Sequence, residues 1–241
     1  MEFGKKEIGY LILASIIAGF VFSFDEWGAE KFDLSIGLLN LLKAIIICFI
    51  IYTVHIFAQK LVAKRANCEV EFITISSSFK KIPIYLRQIG PILTLLFSII
   101  SNGKLFFIAL ASFNILSKRK YRVGHKWTNV KEFEEAKIAF AGPLSNLILS
   151  AIFKLLLPLS PIFFSKATFI ASTLTIFHLL PFPKFDCIRI FMGSRFLYLF
   201  AVVLAILSII LINFINVVIA VFLALLISII ITFYFFYQSK K

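Results

Sequence analysis

Residues 196–238 read FLYLFAVVLAILSIILINFINVVIAVFLALLISIIITFYFFYQ, 43 positions without one charged side chain. As a single α-helix the stretch would run about 65 Å at ~1.5 Å per residue, twice the ~30 Å hydrocarbon layer of a bilayer. Asn213 and Asn216 interrupt it near the middle. It therefore predicts two crossing helices, 196–212 and 217–237, closed into a C-terminal hairpin. In hydrocarbon every backbone N–H and C=O must find an internal partner, and a helix supplies all of them within one segment. The fold class follows: an all-α polytopic membrane protein.

Working outward, the rest of the chain carries the same signal. Of 241 residues, 61% are hydrophobic and 15% charged, with mean hydropathy +0.99; soluble domains run at about 45–50% and about 25%. Further apolar windows lie at 8–24, 34–59, 138–157 and 168–180, so about six transmembrane helices are expected in a single membrane domain, 1–241. Three cysteines, Cys48, Cys68 and Cys187, form an odd set, which excludes a secreted disulfide scaffold. The net charge of +13 is dispersed over the loops between apolar windows. The positive-inside rule produces that pattern without a nucleic-acid partner, and none is expected. The first seven residues carry both signs of charge and no A-x-A-like site precedes Asp25, so the first window reads as a retained helix.

Charge placement sets the expected topology. The loop after the first window holds four acids, Asp25, Glu26, Glu30 and Asp33, against Lys31, a net of −3; it reads as the outer side. The second window ends on Lys60, Lys64 and Arg65, with Lys43 near enough to the outer end to snorkel. Lys240 and Lys241 close the sequence on the same side as the basic loops. Both termini are expected in the cytoplasm of a protein integral to the cell membrane.

Residues 60–137 are the irregular part, a cytoplasmic or interfacial segment with basic flanks at both ends. If both flanks share one side, the apolar run 90–116 cannot be a single crossing. Gly103 and Lys104 break it into pieces too short to span, better suited to an interfacial, re-entrant or strand-like element. Residues 70–76 alternate in strand fashion. A small membrane-associated loop or β element is expected between the second and third helices. His125, beside Trp127, reads as an interfacial loop residue.

Ionisable and amide side chains at membrane depth are costly, so each is a functional candidate. His55 and Gln59 lie four apart and share a helix face. Asn146 follows the small-residue run Ala139-Phe-Ala-Gly-Pro143, where helices can approach closely and an amide can bond across. His178, Asp186 and Cys187 leave the fourth window around Pro181-Phe-Pro183. Positive-inside bookkeeping gives His55 and Asp186 a similar depth, and imidazole with carboxylate suits zinc. The plainer alternative is an interhelical His55 and an Asp186 paired with Lys184 or Arg189.

Three segments, in this order, resemble the site-2 protease family of intramembrane zinc metalloproteases. They are His55-Ile-Phe-Ala-Gln59 against H-E-x-x-H, Ala141-Gly-Pro-Leu-Ser-Asn146 against A-G-P-x-x-N, and His178-Leu-Leu-Pro181-Phe-Pro-Lys-Phe-Asp186-Cys187 against N-x-L-P-x-x-P-x-D-G. The resemblance covers 34–195. It implies a three-helix core around a metal, with a membrane-associated sheet between the second and third helices. It also implies Asn146 and His178 as residues that meet a substrate or partner segment.

The departures carry as much weight as the matches. The general-base Glu of the motif is replaced by Ile56, which cannot accept a proton; losing a positioned base removes about 10²–10⁴ in rate. Gln59 stands in place of the second histidine ligand, and its amide is a poor zinc ligand beside imidazole. His55 and Asp186 are retained. The resemblance then implies a proteolytically inactive member without a cofactor, acting by binding membrane-embedded protein segments in the lipid bilayer. The alternative is an active metallopeptidase with a relocated zinc site of His55, His178 and Asp186, with Cys187 as a fourth ligand. Sequence leaves the question of enzyme or non-enzyme between these two.

Overall fold

Charge punctuation and helix-ending residues divide the described chain into eight helices and two strands. The computed structural model describes residues 3–28, 32–74, 89–117, 131–182 and 184–238. His125 with its Trp127 neighbour, the basic positions within 80–87 and 118–126, and Pro183 lie outside that set.

Helix α1 spans Lys5–Phe22 and α2 Leu34–Arg65, the latter ending on Lys64 and Arg65, whose charges suit the negative end of a helix dipole. Asn67, in the left-handed region at φ +54°, turns the chain into strand β1, Cys68–Thr74. Asparagine tolerates that conformation better than most residues. Helix α3, Ile89–Ile100, ends at a turn through Asn102 and Gly103, and strand β2, Ala111–Ser117, pairs with β1 in a two-stranded sheet. The apolar run 90–116 is thus helix over 90–100, turn over 101–105 and strand from 111, with an irregular stretch between. In β1 the residues alternate: Cys68, Val70, Phe72 and Thr74 are buried, Glu69 and Glu71 exposed.

All five of the remaining helices start or stop away from the expected windows or lie outside them. Helix α4, Glu132–Leu155, begins six residues before the apolar window, because Glu132, Glu134 and Glu135 favour a helix N-terminus. Helix α5, Pro161–Leu179, begins at Pro161, a favoured first-turn residue, and carries Lys166 within it. Helix α6, Asp186–Gly193, falls between the expected windows. Helices α7, Arg195–Phe214, and α8, Val217–Gln238, extend the predicted hairpin by one or two residues. Among the described residues five helices, α2, α4, α5, α7 and α8, are long and apolar enough to cross a membrane. The chain is an all-α membrane protein in this sense. Helix α1 has 18 residues but opens on Lys5, Lys6 and Glu7.

The chain divides into two compact units, Met1–Ile56 with Val70–Ile115, and Phe57–Glu69 with Leu116–Lys241. Helix α2 runs without interruption from the first into the second. In the first unit, Gly19 of α1 lies against Ile45 of α2 so closely that an added Cβ would sit 2.8 Å from the Ile45 backbone nitrogen. Buried Glu7 ties the start of α1 to the sheet: its Oε1 accepts from Phe72 N–H at 2.8 Å, and its Oε2 from Gly4 N–H at 2.9 Å.

In the second unit α4 packs on α5 and α6, and α7 on α8. Buried positions on the α7–α8 pair are mostly small: Ala201, Ala205 and Ser208 on one helix, Ala220, Ala224 and Ser228 on the other. Small side chains bring backbones close, where dispersion contacts hold membrane helices together. Gly193, at the end of α6, meets the first turn of α4; a Cβ there would overlap Glu132 O and Ala136 Cβ.

Candidate functional site

The polar residues of the second unit converge where α5 ends and α6 begins. After α5 the chain turns through Leu180-Pro181-Phe182, with Phe182 N–H donating to Leu180 O at 2.7 Å and Phe185 N–H to Phe182 O at 3.1 Å. Lys184 adopts φ +70° within this turn. Phe185 is buried against the His178 ring, with centroids 6.3 Å apart. Asp186 then opens α6, where the helix dipole favours a carboxylate, and only 2% of its surface is exposed.

Asp186 is held from two sides. Gln59 Nε2–H donates to its Oδ1 at 3.2 Å, and His178 Nδ1 lies 2.7 Å from its Oδ2. Gln59 and His178 are buried too. A buried carboxylate is tolerated when its lone pairs meet donors, so these contacts are what allow Asp186 to stay at this depth.

Ile56 and His55 precede Gln59 on α2, by just under and just over one helical turn. Both are buried, and the Ile56 side chain carries no polar atom. His55, His178 and Asp186 each offer one atom of a type that ligates divalent metals. Two imidazoles and a carboxylate match the three-ligand composition of hydrolytic zinc centres. Cys187 differs: its Sγ–H donates to Leu180 O at 2.7 Å, and burial pushes the thiol up to about 11. It stands as a neutral donor, whereas zinc takes the thiolate.

Asn146 lies on α4 at a point fixed by a hydroxyl pair. Ser150, four residues on, meets Ser172 of α5 with 2.7 Å between the oxygens. In these antiparallel helices, one turn back along α4 corresponds to one turn forward along α5, which places Asn146 level with Thr175 and its neighbours. Asn146 is wholly buried, and among the described residues neither Oδ1 nor Nδ2 has a hydrogen-bond partner. Leaving an amide unmet in this way costs about 1–3 kcal/mol. Gln59, His178 and Asp186, three of the residues singled out in the sequence, are brought together here, Gln59 as a hydrogen-bond donor. Sequence reasoning missed the Ser150–Ser172 pair, although the Asn146-to-Ser150 spacing of four was available as a signal.

No protein-family model, curated protein or solved structure matches this chain.

Proposed function

We propose that this chain is a degenerate relative of the site-2 intramembrane metalloproteases. It has lost hydrolysis and acts by holding a membrane-embedded segment of another protein, with both its termini on the cytoplasmic side. The observation that carries this reading is the Gln59–Asp186 hydrogen bond. Where the family would place a histidine on a metal, Gln59 gives an N–H to Oδ1 of Asp186. The carboxylate is thereby stabilised by protein donors, and the buried Ile56 leaves that motif position without a base. The unmet amide of Asn146 supports the binding role, because a peptide group of a client segment offers one donor and one acceptor to match it.

The donor chemistry of His55, His178 and Asp186 favours a second reading, a relocated zinc site. A bound zinc would supply Lewis acidity and an activated water. The chain's own residues would then hold the ion through two imidazole nitrogens and one carboxylate oxygen, with Gln59 orienting Asp186. The test is hydrolysis by purified protein reconstituted with transmembrane peptides, with and without a chelator. The first reading expects no cleavage above that of a His55→Ala, Asp186→Ala variant. Cleavage by the unaltered protein that the chelator abolishes would overturn it in favour of the second.

A further inference from the structure

We propose that residues 89–113 form a re-entrant hairpin that enters the bilayer from the side of the β-sheet. It turns at the level of the opposite face and presents Lys104 and its apolar neighbours to lipid there. Every contact used lies within the first unit, and none depends on the functional reading above.

Helix α1 supplies the ruler. One end is fixed to the sheet, because Glu7 accepts the Phe72 N–H of β1. At the other end the Phe22 ring stacks on Phe106 with centroids 5.4 Å apart, and a Cβ on Gly103 would meet the Phe24 ring at 2.7 Å. From Glu7 to Phe22 the helix rises about 22 Å at ~1.5 Å per residue. The turn around Gly103 therefore sits that far from the sheet. Helix α2, long enough to cross, gives the same scale. Tyr52 contacts Phe72 of the sheet at 6.3 Å, while Trp27, just past Phe24, lies over Gly37 in the first turn of α2. From Gly37 to Tyr52 is again about 22 Å.

The two legs of the hairpin have matching lengths. Helix α3 accounts for about 18 Å outward. On the way back the seven steps from Phe106 to Phe113, the last of them in β2, can reach about 23 Å at ~3.3 Å per residue. The legs lie side by side: Phe97 packs on Phe107 at 4.8 Å, and Thr94 Oγ1 accepts the Ala109 N–H at 3.0 Å. Non-helical backbone at membrane depth is tolerated where it is buried in protein, and 108–113 are buried. Gly103, in the left-handed region at φ +73°, makes the reversal beside Phe24 without a side-chain clash.

The outward surface of the tip fits lipid. Leu96, Phe97, Ile99, Ile100 and Leu105 are all exposed, Ile100 at 81%, and Lys104 is exposed among them. A cluster of large apolar side chains with one lysine matches acyl chains below and a headgroup phosphate above.

Single cysteines read the topology in sealed membrane vesicles with a maleimide that cannot cross the bilayer. Lys6→Cys marks the sheet side of α1 and Asp25→Cys the opposite side. The native cysteines are buried, so unaltered protein is the blank. Lys104→Cys is expected to react with reagent on the Asp25 side and to be spared by reagent confined to the Lys6 side; Leu105→Cys provides a second reporter should the first fail to assemble. Reaction of either reporter from the Lys6 side would overturn the proposal. So would protection of both reporters from both sides while Asp25→Cys reacts.

Discussion

Asp186 shows why a single side chain decides the chemistry. Gln59 donates to one of its oxygens and His178 lies 2.7 Å from the other, so removing the Gln59 N–H takes a donor from a buried carboxylate. Gln59→Leu keeps the side-chain bulk and deletes the N–H. It is expected to lower the unfolding temperature in detergent, with a cost of about 1–3 kcal/mol. An unchanged unfolding temperature would mean that the Gln59 bond does not stabilise the site. A smaller effect is expected at the Ser150–Ser172 pair, where Ser150→Ala should cost about 0.6 kcal/mol by the same measurement, the average for interhelical bonds in membranes. At this scale the sequence was legible in residue type more than in partnership. His55, Asn146, His178 and Asp186 stand out because polar groups are costly in hydrocarbon. Gln59 looked like a poor ligand because its contact with Asp186 links residues 127 positions apart. No local pattern encodes that pairing.

Helix packing depends on a few close approaches. Gly193→Ala would drive a methyl into Glu132 O and Ala136 Cβ, atoms that belong to another helix and cannot rotate away. Overpacking of this sort costs about 1–3 kcal/mol, and the expected result is a lower unfolding temperature with α6 displaced from α4. Equal stability of Gly193→Ala and unaltered protein would contradict the contact. Glu7→Ala should free β1 from α1, seen as faster amide exchange at Phe72, whose N–H loses its carboxylate acceptor. Long apolar windows bounded by charges were legible, since hydrophobicity alone specifies them. The start of α5 was not: the apolar window opens at 168, whereas the helix runs back through Lys166, whose stem can lie along a helix surface, to Pro161. Helix α6 was hidden for a different reason. Its eight residues are too few for periodicity to separate them from a loop.

Across the whole molecule, composition fixed the solvent and charge placement suggested the topology. The question of metal turns instead on the donor chemistry of His55, His178 and Asp186. The most direct measurement is zinc content by elemental mass spectrometry of protein purified in detergent without chelators, alongside His55→Ala, His178→Ala and Asp186→Ala variants. Restoring the motif with Ile56→Glu and Gln59→His gives a positive control that is expected to gain zinc, because Glu and two histidines rebuild the family's motif. The account predicts no zinc above background in the unaltered protein. About one zinc per chain, lost in each of the three alanine variants, is the stoichiometry of a hydrolytic zinc centre and would contradict it.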